Sequence, residues 1–216
     1  PDSIDDRTAA AMMLQGMTAQ YLLRQIHRVG PQDVVLVHAA AGGMGLILCQ
    51  WAKSLGAVVL GTVSTEEKAA LACQHGCDHP IIYGREDVAA EVRKVTGGAM
   101  ATVVFDAVGK DTFDSSLDSL RRFGHLVSYG NASGPVPPFD IAILGNKGSL
   151  TLTRGTLATY TETRAGLEEC AHDLIEVVQS GAVKMTIAQT FPLRNAEEAH
   201  RALEGRRTVG SSLLMP

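Results

Sequence analysis

The sequence predicts an α/β protein built on a doubly wound parallel sheet. Short apolar runs alternate with segments of helical periodicity from residue 34 to residue 130, and this strict order is typical of parallel strands joined by crossover helices. Several runs are apolar on both faces, as expected for strands covered by helices on both sides. The 22 glycines supply the many tight turns that this order needs.

The predicted elements follow one another with short connections. A first helix carries apolar residues at helical spacing from Ala10 to Tyr21, with Ser3 as a possible N-cap and Gly30-Pro31 as its end. Strands are predicted at residues 34–37, 58–63, 81–83, 103–105, 126–129 and 149–153. Helices are predicted between them at 46–55, 65–76 and 88–95, and from 113 to a stop at Gly124.

The βα rhythm ends near residue 155. An amphipathic helix follows at 167–178, and two apolar stretches at 183–191 and 211–215 flank a short helix at 196–203. We therefore divide the chain into residues 1–155, a nucleotide-binding type of sheet domain, and residues 156–216, which link it to a second domain. The chain begins with Pro rather than Met, so we expect it to be part of a longer protein.

Composition excludes several classes of function. A net charge of -4 gives no general attraction for nucleic acid or acidic membranes. No apolar run approaches the roughly 20 residues that span a bilayer, and no signal peptide opens the chain. The four cysteines lack the paired spacing of a zinc site and are interpreted as buried thiols in a reducing compartment. We expect a cytoplasmic protein without nucleic-acid, membrane or metal partners.

The turn after the first strand carries the strongest functional signal. Residues 37–45 read VHAAAGGMG, which aligns Ala40, Gly42 and Gly45 with the three glycine positions of a dinucleotide-binding fingerprint. Gly42 would allow close approach of a pyrophosphate, and Gly45 close packing of helix on strand. The helix N-terminus would then present free N–H groups to the phosphates. The alternative is a tight turn without a ligand. His38, on the buried strand, is interpreted as a core residue.

The end of the second strand indicates which dinucleotide is bound. Sites for NAD usually carry an acidic residue there to hold the ribose 2′-hydroxyl, but residues 61–65 read GTVST. Ser64 and Lys68 could instead contact a 2′-phosphate. The alternative is that Thr65 only caps the next helix and that Lys68 is a solvated surface charge.

Other nucleotide-binding classes lack their motifs. No Walker A sequence is present, and none of the four tyrosines is followed by a lysine four residues later, as short-chain reductases require. A methyltransferase would normally carry an acidic residue after the second strand, which is absent here.

Three segments together resemble a known family over essentially the whole chain. These are residues 14–23 (LQGMTAQYLL), 39–45 (AAAGGMG) and 210–216 (GSSLLMP). They resemble the NADPH:quinone oxidoreductase (zeta-crystallin-like), zinc-free branch of the medium-chain dehydrogenase/reductase superfamily, whose nucleotide domain has a Rossmann fold. Zinc-dependent relatives place a cysteine ligand before the first strand, and residues 12–16 contain none.

The resemblance implies roles for individual residues. It implies a nicotinamide contact at Thr18 and pyrophosphate contacts at Gly43 and Met44, beside Gly42 and Gly45 of the fingerprint. It implies 2′-phosphate contacts at Ser64, Lys68 and Tyr83, and further cofactor contacts at Val108, Tyr129, Asn131, Arg154 and Arg206. The catalytic residues stay unknown: no convincing general acid stands out in this chain, and either such a group lies in the preceding domain or quinone reduction needs none.

The resemblance also implies an activity and partners. It implies hydride transfer from NADPH to a quinone or an activated double bond, and a homodimer paired through residues 149–153. It implies a preceding GroES-like β domain, to whose sheet residues 183–191 and 211–215 would be joined. Two alternatives stay open: an NADPH-binding module without activity of its own, and the enoyl-reductase segment of a larger synthase.

Overall fold

A six-stranded, fully parallel sheet forms the centre of the protein. The computed structural model describes residues 1–205 and 207–216. The strands of this sheet are β1 (Val34–Val37), β2 (Val58–Val63), β3 (His79–Ile82), β4 (Ala101–Asp106), β5 (Leu120–Ser128) and β6 (Thr151–Arg154). Their order is β3-β2-β1-β4-β5-β6. The predicted doubly wound Rossmann fold is confirmed.

Helices connect the strands and cover both faces of the sheet. They are α1 (Asp6–Gln20), α2 (Gly43–Ser54), α3 (Glu66–Gln74), α4 (Val88–Val95), α5 (Phe113–Asp118), α6 (Ala142–Asn146), α7 (Leu157–Tyr160), α8 (Arg164–Gln179) and α9 (Ala196–Glu204). Alternate strand residues feed two apolar cores, one on each face: Val35 and Val37 belong to one, and Leu36 to the other. This is why the strands read as continuous apolar runs.

The sheet reverses its winding direction at β1. β1 pairs with β2 on one side, where Val35 lies beside Val59, and with β4 on the other, where Val35 lies beside Val103. The chain therefore adds β2 and β3 on one side of β1 and then crosses over to add β4, β5 and β6 on the other side. At this reversal a crevice opens beyond the carboxyl ends of β1 and β4.

The first helix differs from the prediction at both ends. Its N-cap is Asp5, whose carboxylate accepts a hydrogen bond from Thr8 N at 2.7 Å, so the expectation that Ser3 caps it is wrong. The helix widens into a π-helical segment at Tyr21–Ile26 and ends there, before Gly30. This wider turn accompanies a buried polar cluster, in which Gln25 Nε2 donates to Gln20 Oε1 at 2.8 Å.

The fifth strand begins earlier than expected. The segment before Gly124 was predicted to be helical, but α5 ends at Asp118 and Leu120 already pairs with Ala101. The pairing of β4 with β5 shifts register between Ala101 and Val103, and Phe123 adopts a positive φ of 60°. Because of this irregularity, β5 begins at Leu120, before Gly124, where the helix was expected to end. Apolar periodicity gives no signal for such a register shift.

The last third of the chain forms a small unit beside the sheet. β7 (Ile187–Pro192) and β8 (Ser211–Met215) pair with each other in parallel and form a separate two-stranded sheet. Gly210, just before β8, forms a bridge to Gly42 in the glycine-rich turn. The two late apolar stretches are therefore paired strands, and the residue just before β8 contacts the glycine-rich turn. In the described part of the chain, no helix combines the length and apolar character needed to cross a membrane.

Candidate cofactor-binding site

A cavity of about 550 Å³ occupies the crevice at the carboxyl ends of β1, β2 and β4. Five residues named from the sequence line it: Gly42, Ser64, Lys68, Tyr83 and Val108. Sequence reasoning missed the far wall, which includes Val88, Asp111, Thr112, Ser115, Ala132, Ser133, Leu203, Glu204 and Thr208. A second cavity, of about 450 Å³, lies where β7 and β8 end and shares no lining residue with the first.

The glycine-rich turn is shaped by close backbone contacts. A Cβ atom added at Gly45 would lie 2.3 Å from Ala39 O and 2.6 Å from Ala40 Cα. Those backbone atoms cannot move aside, so only glycine allows α2 to start this close to β1. Ala39 itself adopts a positive φ of 54°, and its carbonyl accepts a hydrogen bond from Gly42 N at 2.9 Å. Strain of this kind persists only where the surroundings hold it in place.

The alanine at the first fingerprint position has a structural explanation. Ala40 is fully buried, and its methyl group lies over Gly61 of β2. A Cβ at Gly61 would lie 2.5 Å from Ala40 Cβ. The two positions therefore share one methyl-sized space, and this chain places the methyl group on the turn rather than on β2.

The start of α2 also meets the far end of the chain. The side-chain amide of Gln15 lies against Gly43, where an added Cβ would be 2.8 Å from Gln15 Nε2. Gln15 Oε1 accepts a hydrogen bond from Ser211 Oγ at 3.1 Å. The amide group is therefore held beside the exposed N–H groups of α2 by a residue 196 positions away. Only the segment 14–23 as a whole, and not this residue, stood out in the sequence.

His38 is the centre of a buried chain of hydrogen bonds under the cavity. His38 Nε2 lies 2.9 Å from Ser116 Oγ, and Ser116 Oγ donates to Asp106 Oδ2 at 2.8 Å. Because the serine proton is used in this way, Nε2 carries the imidazole proton and Nδ1 accepts from Thr62 Oγ1 at 3.0 Å. Thr62 Oγ1 in turn accepts from Ala39 N at 3.2 Å.

The neutral form of His38 is favoured by its surroundings. Burial lowers the pKa of His38, and the negative charge of Asp106 opposes this only in part. The sequence interpretation of His38 as a core residue agrees with its position, but its role in linking β1, β2 and β4 needed the tertiary structure. The chain of bonds ends at Ala39, the strained residue of the turn.

Asp106 fixes the loop that follows β4. Its Oδ1 accepts from Val108 N at 2.8 Å and from Gly109 N at 3.1 Å. Thr112 Oγ1 lies 2.8 Å from Oδ2, and the whole residue is 2% exposed. The side chain of Val108 is thereby held at the edge of the cavity.

The end of β2 carries hydroxyl and ammonium groups rather than an acid. Ser64, Lys68 and Tyr83 line one end of the cavity, and Tyr83 is 49% exposed. Thr65 caps α3 by accepting from Lys68 N at 3.3 Å. The capping interpretation of Thr65 is therefore correct, and it coexists with Lys68 at the cavity wall.

Seven of the named residues are not among those that line the cavity: Thr18, Gly43, Met44, Gly45, Tyr129, Asn131 and Arg154. Thr18 Oγ1 donates to Leu14 O at 2.7 Å within α1. Arg154 Nη1 donates to Ser128 Oγ at 3.1 Å and to Gly130 O at 2.9 Å. Burial raises the pKa of Tyr129. Arg206 lies outside the described residues.

The strand order and the glycine-rich turn at its crevice define a dinucleotide-binding domain. The chain belongs to the zinc-binding dehydrogenase family, whose profile matches residues 43–176, and within it to the quinone oxidoreductases. A quinone oxidoreductase of Pseudomonas aeruginosa is 49% identical over all of this chain and 66% of its own length. The 2-haloacrylate reductase of a Burkholderia species is 50% identical over 99% of this chain and 64% of its own length.

A solved structure agrees with these relatives. The crystal structure of Escherichia coli quinone oxidoreductase complexed with NADPH matches with a TM-score of 0.96 and 46% identity, covering all of this chain and 67% of that one. This chain therefore spans about two thirds of the length of the proteins it resembles. The family description mentions zinc, but the residues described here contain no group of three His, Cys, Asp or Glu side chains that could hold a metal ion.

Proposed function

We propose that this chain binds NADPH in the crevice and forms the cofactor domain of a reductase. The reductase would transfer a hydride to a quinone or to an activated carbon–carbon double bond. The observation that carries the proposal is the group formed by Ser64 and Lys68 after β2 and Tyr83 after β3, which line the cavity without the carboxylate that NAD sites place at the end of β2. Lys68 supplies a positive charge and the two hydroxyl groups supply hydrogen bonds, which suits a 2′-phosphate.

The residues of the turn fit the rest of the dinucleotide. Gly45 gives α2 its close approach to β1, and α2 begins at Gly43, directly after Gly42 in the cavity wall, as a pyrophosphate site requires. We assign cofactor contact to the set named from the sequence: Thr18, Gly42, Gly43, Met44, Gly45, Ser64, Lys68, Tyr83, Val108, Tyr129, Asn131, Arg154 and Arg206.

The chain's own contribution to the reaction is positioning. NADPH supplies the hydride when it is bound. A series of hydrogen bonds runs from Asp106 through Ser116 and His38 to Thr62. It fixes the position of the glycine-rich turn relative to the loop at Val108. No group of this chain is assigned as a general acid or base.

The acceptor is proposed from the relatives. Both a quinone oxidoreductase and a 2-haloacrylate reductase are about half identical to this chain. Their substrates share an electron-poor carbon that accepts a hydride. We propose the same class of acceptor here, reached in a site that the remaining third of the protein completes.

Domain organisation and location are proposed on the same basis. Residues 1–155 form the cofactor domain, and residues 156–216 link it to the rest of the protein through β7 and β8. Four free cysteines favour a reducing, cytoplasmic location. A homodimer paired through the outer edge of β6 is also proposed, because β6 is the last strand of the sheet. A monomeric mass by light scattering at micromolar concentration would contradict it.

The test is a titration of the chain with NADPH and NADH. We expect NADPH to bind about ten times more tightly, a difference of about 1.4 kcal/mol, and Lys68→Ala to remove that preference. Lys94→Ala is the matched control, because Lys94 lies on α4, is solvent-exposed and does not line the cavity. Equal affinities of the parent chain for both cofactors would refute the assignment of NADPH.

The alternative is that this chain binds NADPH without activity of its own. It is separated from the main proposal by following NADPH oxidation with a quinone and with a 2-haloacrylate. Turnover by the longer protein but not by this chain would assign the chain as a module.

A further inference from the structure

A solvent-exposed ion pair, with side chains 67% and 69% exposed, joins the two elements that carry Lys68 and Tyr83, beside the cavity lining rather than within it. One element is the first turn of α3, which carries Lys68, and the other is the segment after β3, which carries Tyr83. Arg85 reaches from the second element to the first, and its Nη1 lies 2.8 Å from Glu66 Oε1.

The turn that carries Arg85 is held by its own hydrogen bonds. Glu86 Oε2 accepts from Ile82 N at 2.7 Å, and Tyr83 forms a bridge with Glu86. Gly84 between them has a φ of +89°, a conformation that favours glycine. The backbone of Arg85 is thereby fixed beside the wall formed by Tyr83, with its guanidinium group directed towards α3.

Arg85 compensates negative charge in the first turn of α3. Glu66 and Glu67 lie in the first turn of α3, where negative charge suits the helix dipole but repels a phosphate. Glu66, Glu67 and Lys68 sum to a charge of -1, and Arg85 brings the sum to 0. The charge of Arg85 also contributes to lowering the pKa of Glu67, after the larger effect of hydrogen bonding by Thr65.

We propose that Arg85 determines the preference for NADPH by engaging Glu66, so that the carboxylate neither repels the 2′-phosphate nor binds a ribose 2′-hydroxyl. This inference rests on the proposed NADPH site and deepens it. When Arg85 is absent, Glu66 is released at the end of the cavity and acts like the acidic residue that NAD sites carry. Arg85 is thus a specificity-determining residue that acts through another side chain.

A set of four proteins tests the inference: the parent chain, Arg85→Gln, Glu66→Gln and the double variant. Affinities for NADPH and NADH are measured at low ionic strength, together with adenosine 2′,5′-bisphosphate and adenosine 5′-monophosphate. These two probes occupy only the adenosine half of the site, which this chain lines. Arg93→Gln is the matched control, because Arg93 is exposed on α4 and does not line the cavity.

We expect Arg85→Gln to weaken NADPH and the bisphosphate by about fivefold, with NADH and the monophosphate unchanged or tighter. The double variant should recover most of the loss, because no carboxylate is then released. The effect should fade in about 1 M salt, where exposed charges are screened.

The outcomes separate this inference from the proposed function. If the parent chain does not prefer the 2′-phosphorylated ligands, the proposed NADPH site itself is wrong. If the parent chain prefers them and Arg85→Gln does so equally, the role of Arg85 is refuted. If the loss in Arg85→Gln persists in the double variant, Arg85 contacts the phosphate directly and its action through Glu66 is refuted.

Discussion

Replacing Asp106 with asparagine should destabilise the fold more than any other isosteric change near the cavity. The carboxylate accepts hydrogen bonds from two backbone N–H groups and from the hydroxyl groups of Thr112 and Ser116. An asparagine amide offers one acceptor oxygen and one donor nitrogen in the same space. Whichever way the amide is turned, its nitrogen faces groups that already donate.

The expected loss follows from the contacts. With the amide nitrogen at the Oδ2 position, the backbone bonds to Oδ1 survive and the bond from Ser116 is lost. Hydrogen bonds to a buried charged acceptor contribute about 1.5 to 3 kcal/mol each, and a donor left without a partner adds about 1 kcal/mol. We expect Asp106→Asn to lower the free energy of unfolding by about 3 kcal/mol.

The assay is urea denaturation followed by fluorescence of Trp51, the single tryptophan, which is 4% exposed in the core. Circular dichroism should give the same transition if unfolding is two-state. Asp111→Asn is the control, because it makes the same chemical change five residues later in the chain at an exposed position. A loss below about 1 kcal/mol with an unchanged denaturant slope would refute the reasoning, since the network would then tolerate a donor at its centre.

Two further predictions follow from the same structure. Gly45→Ala should abolish NADPH binding or prevent folding, because the added Cβ would lie 2.3 Å from Ala39 O. Gly145→Ala is the control: no atom lies within 4 Å of its added Cβ, so NADPH binding and folding should be unchanged. Calorimetric titration measures the binding of each variant, and thermal melting measures its stability. Burial, aided by the charge of His27, lowers the pKa of His125 to about 4, so the unfolded chain takes up a proton more readily than the folded one as the pH falls below about 6.5. Stability should therefore decline from about pH 6.5 to about pH 4, by about 1 to 2 kcal/mol for a partly exposed group, and His125→Gln should flatten this decline in urea titrations. An equal decline in both proteins would rule out His125 as its source.

The sequence by itself determined the fold class and predicted where the cofactor site lies. Strand runs, helix periodicity and the glycine-rich turn are local patterns, so the βα order and the crevice at residues 37–45 could be read without coordinates. The absence of an acid at Ser64 is equally local, because the position follows from counting along β2. The capping of α3 by Thr65 was predictable for the same reason.

Local patterns failed where a partner lay far away in the chain. Leu120 reads as the end of a helix, yet it pairs with Ala101 because β5 inserts extra residues between Leu120 and His125, where its pairing with β4 shifts register. The π-helical end of the first helix depends on Gln20 and Gln25 meeting Cys170, about 150 positions later. Neither feature leaves a periodic signal.

The tertiary structure alone decided which polar side chains support the cofactor site. His38 and Ser116 are 78 residues apart, Gln15 and Ser211 are 196 apart, and Arg85 and Glu66 belong to different elements beside the cavity. His38 meets Ser116, and Arg85 meets Glu66, because parallel strands bring their carboxyl ends, and the loops after them, to one edge of the sheet. Gln15 meets Ser211 because β8 packs against α1. Hydrogen bonds and ion pairs act over about 3 Å, so their partners are fixed by packing and not by position in the chain.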